Sequence, residues 1–215
     1  GTMRAVRLES FPSDWEQMDP AERRETFARV AAGLVAAQNE RVMEEREQLL
    51  VMRAQEEAGI PLSLPQQARR DTLARRYGGR YDDLDDLLAR VDIVPPSLGA
   101  AQAALATGWG SSSSAIERNA LYGRSPREGR FGGLTAAAAD YVDVFNTHRD
   151  FAAFRAERAR LRAQGEAVTG PALVSLIGPY AESGDAYAAQ VRAVMNSAGL
   201  TRFDASREAG FTEES

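Results

Sequence analysis

Hydrophobic positions recur at helical intervals along most of the chain, and no segment of useful length alternates with the two-residue period of a strand. The spacing predicts helices at about residues 20–57, 66–77, 84–91, 97–107, 113–121, 134–146, 150–164, 171–181 and 184–198. Glycine and proline residues separate these segments and favour turns. The sequence therefore predicts an all-α protein, with the Gly-rich stretch 123–133 leaving room for one small β-hairpin.

The first predicted helix is unusually long. Asp19 followed by Pro20 is typical of an N-cap and a first helical position, and only Gly33 interrupts the segment before Glu57. A helix of roughly 38 residues would be about 57 Å long at 1.5 Å per residue. It must pack along a domain with a charged outer face, break near Gly33, or protrude as an arm that recruits a protein partner. Packing is favoured, because the apolar seam is too irregular for a coiled coil.

Composition excludes several kinds of chemistry. The chain has 215 residues and a formal net charge of −5, whereas nucleic-acid binding usually requires a basic excess, so no nucleic-acid partner is expected. No apolar run approaches the roughly 18–20 residues that span a bilayer. Cysteine and lysine are absent and His148 is the single histidine, which excludes thiol, Schiff-base and His-rich zinc chemistry. Any reaction must therefore depend on carboxylates, hydroxyls, amides and aromatic rings.

The helix predicted at 97–107 carries the candidate chemistry. Gln102, Ala106 and Trp109 are four and three residues apart, which predicts one shared face. Gly108 and Gly110 end the helix and allow close approach of the backbone. Trp109 has two interpretations, a core aromatic in a tight turn or a platform in a groove on which a sugar stacks. A separate apolar stripe is expected to face the core: Leu98, Ala101 and Leu105.

One sequence string contains this helix, PPSLGAAQAALATGWG at 95–110, and a second one follows it, NALYG at 119–123. They match the patterns PPSLxxAQAAxESxWGxS and NxLFG, and the match continues with DYV at 140–142, NTH at 146–148, YAESGDAY at 180–187 and NER at 39–41. Together these strings resemble the glucosaminidase family of lysozyme-like peptidoglycan hydrolases, the glycoside hydrolase family 73 type, and within it the Bax-like branch. The resemblance covers roughly residues 30–205.

The resemblance implies both an architecture and an activity. It implies a lysozyme-like helical domain at 92–203 after a helical extension at 10–91, with a tail at 204–215. Residues 1–9 are a tail that begins with Gly1-Thr2-Met3, which is typical of a cleaved tag. The implied activity is that of an endo-β-N-acetylglucosaminidase, which cleaves peptidoglycan glycan strands by general acid catalysis without a metal or an organic cofactor. The implied location is the periplasm or cell envelope, with a signal peptide removed.

One departure from the family pattern is decisive for the chemistry. The catalytic glutamate of the family falls on Ala106, and alanine cannot protonate the leaving oxygen of a glycosidic bond. Either a natural glutamate has been replaced and the chain is an inactive variant, or the natural protein is a peptidoglycan-binding pseudoenzyme that positions or regulates another hydrolase. The first explanation is favoured, because the residues around Ala106 still match the motif. Ala106 is therefore the candidate catalytic position.

Further site residues are implied by the same resemblance. Tyr180 matches a functionally important tyrosine and is expected at the −1 sugar, although a core tyrosine at a helix end is the alternative. Glu128 is the candidate second carboxylate, although a solvated surface position is the simpler interpretation. Asn119 is expected either to cap the backbone or to contact substrate, and Tyr122 to pack beneath the groove. The substrate-binding candidates are Gln102, Trp109, Gly110, Asn119 and Tyr122.

Two further features have structural interpretations. His148 belongs to the NTH string and is expected to be a structural residue. The Arg-rich run 155–162 is expected to form a solvated helix face. Neither feature points to a metal site.

Overall fold

The computed structural model describes residues 10–125 and 129–205, which contain nine α-helices and no strand. The helices are α1 (Pro20–Glu57), α2 (Leu64–Tyr77), α3 (Leu84–Arg90), α4 (Pro96–Thr107), α5 (Ser113–Arg118), α6 (Leu134–Thr147), α7 (Ala152–Ala163), α8 (Gly170–Leu173) and α9 (Asp185–Ser197). The all-α prediction is confirmed, and no hairpin forms in the described part of 123–133. Glu128, the predicted tag remnant and tail at 1–9, and residues 206–215 lie outside the described residues.

The prediction of a single helix at 171–181 is wrong. The segment forms the short helix α8 and then two 3-10 turns, Val174–Leu176 and Gly178–Tyr180. Pro179 lies at the start of the second turn. Because proline has no backbone N–H and restricts the residue before it, the helix cannot continue through this point.

The long helix α1 is continuous and lies along the core. The Asp19 side chain caps its start by accepting hydrogen bonds from the backbone N–H groups of Ala21 (2.9 Å) and Glu22 (3.3 Å). Its buried side chains extend from Phe27 to Met52, and it packs against α4, α6 and α3. The predicted packing along a domain is confirmed, whereas neither a break at Gly33 nor a protruding arm occurs. The boundary at residues 91 and 92 stays a prediction.

Helix α4 lies at the centre of the molecule, between α1 and α9. Every residue from Pro96 to Ala104 is buried, and most of them are small. At Gly99 a Cβ atom would lie 2.5 Å from Cγ2 of Val35, so only glycine allows α1 to approach this closely. At the start of the helix, the Asp204 carboxylate accepts hydrogen bonds from the backbone N–H groups of Ser97 (2.9 Å) and Gly170 (2.8 Å). The first residue of the predicted C-terminal tail therefore joins α4 to α8.

The Arg-rich run 155–162 is not a solvated face, which corrects the sequence interpretation. Arg158 is 0% exposed and Arg155 is 6% exposed. The Arg158 guanidinium donates to the carbonyl oxygens of Asp92 (3.1 Å) and Ile93 (2.8 Å) and to the Asn146 side chain (2.8 Å). These carbonyls belong to an irregular segment between α3 and α4, where buried backbone groups need side-chain partners. Burial of Arg158 therefore supplies the missing donors.

The Asp92 carboxylate lies at the middle of this arrangement, 1% exposed. Its oxygen atoms are 3.0 Å from a nitrogen of Arg162 and 3.4 Å from a nitrogen of Arg46. Burial alone would raise the pKa of the Asp92 carboxyl, but the surrounding guanidinium groups outweigh burial and hold that pKa below its ordinary value. We call Asp92, Arg46, Arg158 and Arg162 the Asp92 cluster.

Asp92→Asn should lower the free energy of unfolding at pH 7 by about 3–5 kcal/mol, because buried guanidinium groups would lose their anion. The pKa of the folded carboxyl is depressed, so its stabilisation is present above the unfolded pKa of about 3.9 and is lost as pH falls through the lower folded value. Urea unfolding of both proteins from pH 7 to pH 2.5 measures the effect, and the difference should shrink below about pH 4. Asp82→Asn removes an exposed partner of Arg80 and is the control. Equal losses in the two variants would contradict this account.

Candidate functional site

Ala106 is exposed in the last turn of α4 and faces a glycine. A Cβ atom built at Gly123 would lie 3.4 Å from the Ala106 Cβ, and Gly123 has a φ of +69°. Gly123 and Tyr180 line a groove of about 350 Å³, which we call the Tyr180 groove. Its other lining residues include Arg124, His148 and Asp150. Ala106 is not among the lining residues, but it adjoins Gly123, which is one of them, and its role as the catalytic position stays a prediction.

Tyr180 is held by its neighbours on several sides. Its hydroxyl donates a hydrogen bond of 2.6 Å to the Tyr122 carbonyl oxygen. Its ring stacks on Phe145 and Tyr187, with centroids 5.7 Å and 5.9 Å away. Burial raises the pKa of Tyr180 well above its ordinary value, so the hydroxyl stays protonated and remains a donor. Tyr180 is thus a fixed, neutral wall of the groove.

Gln102 lies beneath the groove and not in it. It is 0% exposed, and its side-chain oxygen accepts a hydrogen bond of 2.7 Å from the Tyr141 hydroxyl. Its side-chain nitrogen donates to the Tyr187 hydroxyl at 3.0 Å. The residue predicted to bind substrate therefore fixes two tyrosines, one of which stacks on Tyr180.

Tyr122 packs beneath the groove, as its position in the motif predicts. It is 2% exposed, its ring stacks on Tyr141 at 4.4 Å, and its hydroxyl donates to the Ala31 carbonyl oxygen of α1 at 3.2 Å. We call Tyr122, Tyr141, Tyr180 and Tyr187 the tyrosine layer. This layer joins α1, α4, α6 and α9 under the Tyr180 groove.

Two roles were predicted for Asn119, capping the backbone and contacting substrate, and the structure shows it bonded to the backbone. It is 1% exposed and ends α5 with a φ of +55°, a backbone conformation that asparagine adopts more readily than most residues. Its side-chain nitrogen donates to the Phe131 carbonyl oxygen at 3.2 Å. Asn119 therefore closes the loop that leads into Tyr122 and Gly123.

Trp109 does not lie on one helix face with Gln102 and Ala106, so the prediction of a shared face is wrong. Helix α4 ends at Thr107, and Gly108, Trp109 and Gly110 follow with φ values of +56°, +60° and +76°. Three successive left-handed residues turn the chain away from the helix. The Trp109 ring contacts Phe27 edge to face, with centroids 6.3 Å apart. It lines a second groove of about 480 Å³, which we call the Trp109 groove.

Gly110 is covered by aromatic side chains. The Trp15 indole nitrogen donates to the Gly110 carbonyl oxygen at 2.8 Å, and a Cβ at Gly110 would lie 2.7 Å from a ring carbon of Phe27. Gly110 is buried by these two rings, and its contact with substrate stays a prediction. Glycine is required here for packing.

The structure also adds charged residues that the sequence analysis did not single out. Arg124 follows Gly123 and pairs with Asp140 of α6, and both side chains are more than one-third exposed. Arg24 of α1 lies over the Trp109 ring, 5.9 Å from its centroid. No spacing in the sequence connects these pairs, because each joins two elements that are distant along the chain. His148 has the structural role that was expected, because its ring nitrogen accepts a hydrogen bond from the Asp150 backbone N–H (3.4 Å), and its side chain is also 54% exposed in the lining of the Tyr180 groove.

Two kinds of site are absent from the described ranges. Residues 10–125 and 129–205 contain no group of three or more His, Asp or Glu side chains that could hold a metal ion. None of the helices in these ranges has the length and apolarity to cross a bilayer.

Gln102→Leu should lower the free energy of unfolding by about 1–3 kcal/mol, because the buried Tyr141 hydroxyl would lose its acceptor. Adding Tyr141→Phe should recover part of the loss, since both partners are then apolar. Urea denaturation of the single and double variants measures this coupling. A double variant whose loss equals the sum of the two single losses would contradict the role given to the hydrogen bond.

Comparison with known proteins gives a distant relative. The chain is 29% identical over 202 residues to "Protein bax" from Escherichia coli (strain K12), a match that covers 85% of this chain and 72% of that protein. No protein-family model and no solved structure matches the chain. The chain is a distant homologue of Protein bax.

Proposed function

We propose that this chain has the site of a peptidoglycan hydrolase, an endo-β-N-acetylglucosaminidase, whose acid position is occupied by Ala106. The observation that carries the proposal is the position of Ala106 at the end of α4, against Gly123, which lines the same groove as Tyr180. A glycosidase needs an acid where a sugar chain can lie across it. The proposed location is the periplasm or cell envelope, where peptidoglycan is found.

Each residue near position 106 has a part in the proposal. A carboxylic acid at 106 would protonate the oxygen that leaves the cleaved sugar. Gly123 has no side chain, which allows the glycan to approach position 106. The Tyr180 hydroxyl and ring form the wall against which the sugar lies, and the tyrosine layer fixes that wall. Asp140, which pairs with Arg124, is a carboxylate near Tyr180.

A carboxyl group at position 106 would begin from an exposed Cβ atom, because Ala106 is exposed. Leu105 was expected to face the core but is 37% exposed, and Trp109 packs on Phe27 instead. Neither residue accounts for a raised pKa of an acid at 106. A bound glycan would supply the desolvation, because it would exclude water from the groove.

Ala106→Glu should create peptidoglycan-cleaving activity in a chain that has essentially none. Loss of a general acid typically costs about 10²–10⁴-fold, so Ala106→Glu should exceed Ala106→Gln by at least about 10²-fold. Activity should fall as pH rises through the pKa of the new carboxyl, because the proton to be donated is lost. Reducing-end release from purified sacculi, with mass spectrometry of the fragments, measures both effects.

The matched control is Ala106→Gln, because glutamine has nearly the same size as glutamate but has no acidic proton. N-acetylglucosamine at the new reducing ends would agree with the proposed bond, whereas N-acetylmuramic acid would show that the other bond is cut. If Ala106→Glu folds normally and releases nothing from pH 4 to pH 8, the hydrolase proposal is wrong.

The second candidate function is a peptidoglycan-binding pseudoenzyme that positions or regulates another hydrolase. Ala106 itself favours it, because alanine has no acidic proton to donate. An alanine codon at position 106 of the genomic sequence would support the pseudoenzyme, and a glutamate codon would support an inactivated enzyme.

A further inference from the structure

The Trp109 groove is separate from the Tyr180 groove and is not used by the proposed reaction. It lies where the first turns of α1, the turn after α4 and residues 198–202 meet. Most of its lining is apolar, from alanine, proline and leucine side chains, and Trp109 is half-buried in it. Its polar lining residues are Arg24, Glu25 and Arg202.

The backbone holds the Trp109 indole at this groove. Trp109 has a φ of +60°, a conformation that is costly for a residue with a side chain and that is found mainly where the surroundings impose it. The glycines on both sides share the left-handed conformation. Edge-to-face packing on Phe27 fixes the ring. The indole is therefore a preformed surface and does not need to be ordered by a ligand.

The Trp109 groove has more positively charged than negatively charged side chains. Arg202 is satisfied, because its guanidinium donates to the carbonyl oxygens of Ala198 (2.9 Å) and Gly199 (2.8 Å) and pairs with Glu25 at 2.8 Å. Arg24 lies over the indole at 5.9 Å and forms no ion pair with any residue in the described part of the chain. Two guanidinium groups thus face one carboxylate, in a chain whose net charge is −5. The groove combines an apolar surface with one cation, Arg24, that has no ion-pair partner among residues 10–125 and 129–205.

We propose that the Trp109 groove binds a short peptide that carries carboxylate groups, the acidic peptide attached to the sugars of peptidoglycan. This inference rests on the proposed function. Arg24 pairs with a peptide carboxylate, and the indole and the apolar lining cover the small side chains. A neutral sugar would contact the indole but would leave Arg24 without an anion, so the charge distribution favours the peptide over the glycan. The glycan itself lies in the Tyr180 groove.

Calorimetric titration of the chain with three probes tests the proposal: a disaccharide-tetrapeptide from peptidoglycan, the same disaccharide without peptide, and the free tetrapeptide. The disaccharide-tetrapeptide should bind about tenfold more tightly than the bare disaccharide, as expected for one charge-assisted pair. Arg24→Gln should remove this difference and leave the affinity for the bare disaccharide unchanged. Arg75→Gln changes an exposed arginine of α2 far along the chain and should have no effect.

Tryptophan fluorescence gives an independent readout. Trp15 is 2% exposed, so a change on adding the tetrapeptide should come from Trp109 and should disappear in Trp109→Phe. Equal affinity for the disaccharide with and without peptide, or a peptide-dependent gain that survives Arg24→Gln, would overturn the proposal. Absence of binding by all three probes would overturn it as well.

The two proposals fail in different ways. If Ala106→Glu cleaves sacculi but the peptide adds no affinity, the peptide site is wrong and the hydrolase stands. If the free tetrapeptide binds in an Arg24-dependent manner while Ala106→Glu stays inactive, the peptide site stands and the hydrolase is wrong.

Discussion

Burial of the Asp92 carboxylate among guanidinium groups is the constraint on which the rest of the structure depends. Arg46 comes from α1, whereas Arg158 and Arg162 come from α7, and all three meet in the segment that leads into α4. Buried charges of this kind are costly when they lose their partners, so moving α1 or α7 away from this segment would leave an uncompensated charge. The start of α4 is thereby placed relative to α1 and α7.

The geometry of the candidate site follows from the position of α4. Its buried face carries Gln102, which binds two members of the tyrosine layer, and its last turn exposes Ala106 beside Gly123. Tyr180 reaches the same groove from a different part of the chain and is fixed by a hydrogen bond to the Tyr122 backbone. The site is therefore supported by residues beneath its surface, and a substitution of Tyr122 or Tyr141 should affect it without removing a side chain that lines the groove.

Helix periodicity was sufficient to predict most of the elements, because α2, α3, α4, α6 and α9 each have an apolar pattern with clear ends. The motif around residues 95–123 singled out Ala106, whose catalytic role stays a prediction. Periodicity did not predict a helix end or the burial of a side chain where a local backbone conformation or a tertiary contact determines it. The positive φ of Trp109 ends the helical spacing, and Arg158 is buried because distant backbone carbonyls need its donors. Neither fact can be read from residue types alone.

The central claim is that position 106, Gly123 and Tyr180 border one glycan-binding groove. A crystal structure of this chain with a peptidoglycan tetrasaccharide tests it most directly, since Ala106 removes cleavage as a complication. The account predicts a sugar ring in van der Waals contact with the Ala106 methyl group and with Tyr180. A saccharide bound elsewhere on the protein, with the surface between Ala106 and Tyr180 left to solvent, would contradict it.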